Sequence, residues 1–111
     1  MNEASNILVK NKRFYSGPGI YIGRPSPLGN PFSHLENTLA KFKVSSRKEA
    51  VSSYEEWIIS KLYEHDSNNP QLIAFKKLQQ TMQPFNLICW CAPSSCHGDI
   101  LKKLLDEGFL T

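Results

Sequence analysis

The stretch Phe85-Asn86-Leu87-Ile88-Cys89-Trp90-Cys91 decides the fold class. Its centre is apolar throughout, the pattern of a strand covered on both faces, as in the parallel sheets of α/β proteins. Upstream the periodicity is helical. Ser46-Arg47-Lys48-Glu49 has the form of a capping box, and Ala50, Tyr54, Trp57, Ile58 and Leu62 then follow on one stripe, predicting a helix to about residue 64. Asp66-Ser67-Asn68-Asn69 breaks it. Asn69-Pro70 starts a second helix carrying Leu72, Phe75, Leu78 and Met82 and ending before Pro84. Downstream, Ala92-Pro93-Ser94-Ser95 turns the chain into a last helix, about 97–107, with Ile100, Leu101, Leu104 and Leu105 on its apolar stripe and Gly108 as its stop.

Nearer the N-terminus, Ile7-Leu8-Val9 reads as a short strand and Ser16-Gly17-Pro18-Gly19 as a turn. Ile20-Tyr21-Ile22 is a second short strand, stopped by Gly23. Residues 33–45 have no clear period. The order strand, strand, helix, helix, strand, helix predicts an α/β fold. We expect a small, mainly parallel or mixed sheet with flanking helices in a Rossmann-like three-layer architecture. Residues 20–22 and 87–91 are expected as neighbouring central strands.

The chain of 111 residues is read as one domain, 1–111, long enough to bury a core without a mandatory disulfide or metal. With 41% hydrophobic and 21% charged residues it has ordinary globular composition. No apolar run approaches the roughly 20 residues needed to span a bilayer, and Met1–Asn6 lacks the basic start of a secretory signal. The three cysteines, at 89, 91 and 96, are odd in number and crowded, a poor disulfide framework. A reducing, cytoplasmic location is expected, with no membrane partner. The net charge of +3 suits a local anion site better than a nucleic-acid arm.

Most of the chemistry lies in Cys89-Trp90-Cys91-Ala92-Pro93-Ser94-Ser95-Cys96-His97-Gly98-Asp99. Side chains alternate along a strand, so Cys89 and Cys91 share a face, and Cys91 stands at the strand's carboxyl end. Cys96 and His97 fall in the first turn of the last helix, capped by Ser94 or Ser95. Ligands of open α/β sheets bind outside the carboxyl ends of strands, and a helix N-terminus favours anions and lowers a thiol's pKa. Cys91 or Cys96 is therefore a candidate nucleophile, His97 its acid–base partner, and Asp99 a group that orients His97 or binds a hydroxyl. Plainer readings stand beside these: Cys89 in the core, His97 as a polar helix start, or the cluster as a zinc site. The spacing Cys-x-Cys-x4-Cys-His fits tetrahedral zinc poorly, so neither a metal nor any other cofactor is expected.

The second candidate is the loop Arg24-Pro25-Ser26-Pro27-Leu28-Gly29-Asn30-Pro31-Phe32, too rich in proline for a helix or a central strand. Arg24 can hold phosphate or carboxylate through two hydrogen bonds. Gly29 and Asn30 can take left-handed conformations that aim backbone N–H groups at a ligand, and Ser26 and the Asn30 amide add neutral hydrogen bonds. A rigid structural loop is the alternative. Tyr54, Trp57 and Phe75 read as core, and His34 and His65 have no motif around them. Phe14 and Tyr15 beside Lys10, Lys12 and Arg13 have the make-up of a nucleic-acid patch, but the modest charge favours a solvated surface, and nucleic acid is not the expected partner.

The two motifs together, Ile20-Tyr21-Ile22-Gly23-Arg24-Pro25-Ser26-Pro27-Leu28-Gly29-Asn30-Pro31-Phe32 and, about sixty residues on, Leu87-Ile88-Cys89-Trp90-Cys91-Ala92-Pro93 with Cys96-His97-Gly98-Asp99, resemble the family catalogued as domain of unknown function 4326. The likeness covers roughly 19–106 and leaves 1–18 as an extension. It implies small bacterial or phage proteins in which Arg24, Asn30, Cys91, Cys96 and His97 belong to shared motifs, without assigning their roles. The end of the chain is also similar, more weakly, to domain of unknown function 488. Two functions remain open, with a structural zinc-binding domain as a further alternative. One is an enzyme acting on a nucleotide-like or other anionic small molecule through a Cys–His pair. The other is a binding module for such a ligand or a protein partner. The oligomeric state is open too.

Overall fold

The strand read from Phe85 onward is the middle of the main sheet. As β5 (Phe85–Cys89) it pairs in parallel with β1 (Ile7–Asn11) on one side and β2 (Ile20–Tyr21) on the other. The structure is a computed structural model describing residues 7–24, 26–33, 42–64, 66, 68–90 and 97–109. The register sets Ile7 beside Phe85, Asn11 beside Cys89 and Ile20 beside Leu87, and one more bond, Ile22 N–H to Ile88 O, extends the β2 ladder. Residues 20–22 and 87–89 are thus neighbours, as expected. Only β5 is central, however: β2 is an edge among the described residues, cut short between Gly19 and Gly23.

Two short strands, β3 (Phe32–Ser33) and β4 (Phe42–Lys43), form a second parallel pair in the stretch without a clear period, their Phe32 and Phe42 rings 5.2 Å apart. Three helices are described: α1 (Arg47–Leu62), α2 (Pro70–Gln80) and α3 (His97–Asp106). Ser46 caps α1 through Glu49 N–H. The Glu49 carboxylate returns to Ser45 rather than to Ser46, a capping box one residue wider than the sequence suggests. Asn69 serves two helices. Its side-chain oxygen accepts from Gln71 and Leu72 at the start of α2, and its amide donates to the Lys61 and Glu64 carbonyls at the end of α1. The second helix stops at Gln80, two residues before Met82, which is 88% exposed and not part of the stripe. At the other end, Gly108 with φ 68° and the bond from Phe109 N–H to Leu104 O stop α3 as anticipated.

The core lies on one face of the main sheet. Ile7, Ile22, Leu87 and Cys89 are buried there with Tyr54, Ile58, Phe75 and Leu101 of the helices. Leu8, Lys10, Tyr21, Asn86 and Ile88 alternate onto the other face, where Leu8 is 50% exposed, the other four are half-buried and Ile88 lies against Gly19. Among the described residues, the apolar run at 85–89 therefore has one buried face, Leu87 and Cys89, and one half-buried face, Asn86 and Ile88. Of the layers expected, the described residues supply the sheet and one layer of helices. None of the described helices is long and apolar enough to cross a membrane.

Candidate functional site

All described pairings in the main sheet are parallel, so the carboxyl ends of its strands share one edge. There β2 passes into the Gly23–Phe32 loop, β5 into Trp90 and residues 91–96, and α3 begins at His97. Cys91 and Cys96, with the capping candidates Ser94 and Ser95, fall outside the described residues. Cys89 is fully buried on the core face.

His97 joins the two motifs. The residue is 6% exposed, with Nε2 2.6 Å from the Ile22 carbonyl oxygen and its ring edge-to-face with that of Tyr54, 5.1 Å between centroids at 72°. Burial pushes its pKa below the ordinary histidine value. The bond to Ile22 O works the other way without prevailing, the Arg24 charge lowers the pKa further, and that of Asp99, in the first turn of α3, raises it. The ring is neutral at pH 7. A carbonyl can only accept, so Nε2 carries the hydrogen and Nδ1 keeps the lone pair.

Backbone closure fixes the loop. Ser26 N–H bonds to Gly23 O at 2.8 Å and Gly29 N–H to Ser26 O at 2.9 Å, two successive turns. Tyr54, from the middle of α1, donates its buried hydroxyl to Leu28 O at 2.7 Å. The half-buried Arg24 side chain donates through Nη1 to Asn30 O at 3.1 Å. Asn30 in turn spends its amide on Ala50 O and its oxygen on Phe32 N–H, and Ser26 Oγ accepts from Leu28 N–H. The polar groups of Ser26 and Asn30 are thus drawn into the scaffold of the loop itself. Gly29 also differs from expectation. Among the described glycines only Gly108 has a positive φ, so Gly29 is not left-handed. It is required for space: a Cβ there would come within 2.9–3.0 Å of the backbone of Arg24 and Gly23.

Sequence reasoning missed two links. Tyr54 reads as core from its place on the stripe, and a stripe says nothing of where a hydroxyl points. Tyr21 donates to Arg24 O at 2.7 Å and accepts from Trp90 Nε1 at 3.0 Å, tying the exits of β2 and β5 together. The only sequence signal for it is that Tyr21 alternates with Ile20 and Ile22. Among the described residues no three of His, Cys, Asp and Glu gather as a metal-ligand set.

The carboxyl edge thus brings together a half-buried guanidinium, a neutral buried imidazole and the start of a ten-residue helix. Such an edge can hold an anion and hold or accept a proton at Nδ1 of His97. No curated protein and no solved structure matches the chain. A family model described as Domain of unknown function (DUF4326) matches residues 7–107, which takes in β1 as well as both motifs. The chain belongs to that family.

Proposed function

We propose that this domain binds a small anionic ligand, nucleotide-like in kind, at the carboxyl edge of its parallel sheet. The observation that carries this reading is the bond between His97 and Ile22. It fastens the first residue of α3 to the strand exit that leads, two residues on, to Arg24. A helix N-terminus presents a positive dipole end, and the Arg24 guanidinium adds a full charge on the same edge. A phosphate or carboxylate is the group this pair suits. The cysteine usage and the family resemblance favour a cytoplasmic, bacterial or phage setting.

Calorimetric titration with adenosine monophosphate and with inorganic phosphate tests the reading. The expected result is saturable binding weakened at least tenfold in Arg24→Gln. Failure of both probes to bind, or equal binding by the variant, overturns it.

One observation favours catalysis as a second reading. The neutral His97 has a fixed tautomer, with a basic Nδ1, and is adjacent in sequence to Cys96. Rapid iodoacetamide labelling of Cys96 or Cys91 at pH 6–7, suppressed by phosphate or adenosine monophosphate, supports an enzyme. Thiols that react only on unfolding support a binder.

A further inference from the structure

The charges of this chain are segregated. Residues 7–33 and 84–98, which contain the whole main sheet, hold no Asp or Glu; all ten acidic residues lie elsewhere, while Lys10, Lys12, Arg13 and Arg24 lie in the first segment. A net charge of +3 averages over this division and understates the sheet side.

That side is also aromatic. The register aligns Lys10, Ile88 and Tyr21 in one row across the outward face. Tyr15 reaches the same face, its hydroxyl accepting from Asn86 Nδ2 at 2.8 Å. Trp90, 55% exposed, is held by its bond to the Tyr21 hydroxyl. The cations interleave with the rings: Lys10 lies 5.6 Å from the Tyr15 centroid, Lys12 5.6 Å from that of Tyr21, and Arg13 5.7 Å from that of Phe14, itself 79% exposed.

We propose that this outward face binds single-stranded nucleic acid. Bases stack on Trp90 and on the Tyr15 and Tyr21 rings, while Lys10, Lys12 and Arg13 take the phosphates. A single strand offers the two things the face is equipped for, unstacked base planes and a line of negative charge. A duplex hides its base planes, and a small anion needs no row of rings. The two amides close by are engaged internally. Asn11 bonds Trp90 O and Arg13 N–H, and Asn86 bonds the Tyr15 hydroxyl and Pro18 O. Stacking and charge therefore dominate over base-edge readout, and binding is tolerant of sequence. The bond to Tyr21 fixes the plane of the Trp90 ring before any base arrives, which reduces the ordering cost of binding. This reverses the expectation from net charge, because Tyr21 and Trp90 are 69 residues apart and only the fold puts them beside the basic turn.

The test is fluorescence anisotropy of a labelled twelve-residue oligothymidylate with the full chain. Neutralising three phosphates predicts affinity falling about twentyfold from 50 to 200 mM salt. Trp90→Ala should weaken binding at least fivefold, the effect of losing one stacked base. Trp90→Phe, which keeps a ring, should recover part of that loss. Lys12→Ala with Arg13→Ala should weaken binding and flatten the salt dependence while leaving phosphate binding at the Arg24 edge unchanged, so the two proposals fail separately. Equal or tighter binding of a twelve-base-pair duplex overturns the proposal, as does indifference to Trp90→Ala. Dimerisation in sedimentation with no oligonucleotide bound overturns it too, since a second copy would then be what covers the face.

Discussion

His97 Nε2 lies 2.6 Å from the carbonyl oxygen of Ile22, joining residues 75 apart in sequence at the carboxyl edge of the sheet. The bond is buried, so removing the donor leaves a carbonyl with neither water nor partner, and the lost ring leaves a void beside Tyr54. His97→Ala is expected to cost about 2–4 kcal/mol in urea unfolding. His97→Gln, which can still donate, should cost less. A loss under about 0.5 kcal/mol, the range of neutral surface changes, would show that the bond does not organise the edge.

The same burial makes stability depend on pH. The folded pKa of His97 lies below the ordinary 6.5, so the unfolded chain binds the proton more readily. Its contribution is complete above about pH 6.5 and is lost as the pH falls from there toward the folded value. The unfolding midpoint should therefore drop between pH 7.5 and 5.5, and His97→Gln should remove part of that drop. Glu49, whose pKa is lowered by its bonds to Ser45, acts in a separate window at and below about pH 4.5. A wild-type midpoint that is flat, or that rises, from pH 7.5 to 5.5 would contradict the assignment of a neutral His97.

Tyr54 tests whether the loop is held from the helix side. Tyr54→Phe keeps the ring against His97 and deletes only the hydroxyl that bonds Leu28 O. The expected loss is about 1–3 kcal/mol, with faster hydrogen exchange at Leu28 and Gly29. Unchanged exchange there would mean that the loop's own turns suffice.

Gly29→Ala probes close approach without any contribution from backbone conformation. The new methyl would meet backbone atoms of Arg24 and Gly23, which cannot rotate away. We expect a loss of about 1–3 kcal/mol, the usual cost of overpacking, together with weaker phosphate binding as Arg24 shifts. Wild-type stability in thermal unfolding would show that the loop has room to spare.

The fold was largely legible because its signals are local. The Ser46 cap, the Asn69-Pro70 start, the Gly108 stop and the stripes of the three helices each depend on neighbours in sequence. The apolar run at 85–89 marks the central strand, but not that its faces differ, with Leu87 and Cys89 buried and Asn86 and Ile88 half-buried. Which face is covered depends on helices elsewhere in the chain, and a strand's own residues do not reveal it. The β3–β4 pair was illegible because two residues per strand give no period. At the site, the sequence identified which segments meet but not how: the contact runs through a backbone carbonyl, Ile22 O, which no side-chain pattern encodes. Asn30 and Ser26, read as ligand donors, turn out to brace the loop, since short polar side chains in a tight turn find backbone partners first.

The central claim is that an anion sits between Arg24 and the start of α3, and amide chemical-shift mapping locates it most directly. Titrating isotope-labelled protein with adenosine monophosphate should move the backbone amides of His97, Gly98 and Asp99 and the side-chain signals of Arg24 along one saturating curve, with the α2 amides at 72–80 left in place. Shifts confined to other surfaces, or none at millimolar ligand, would contradict the account.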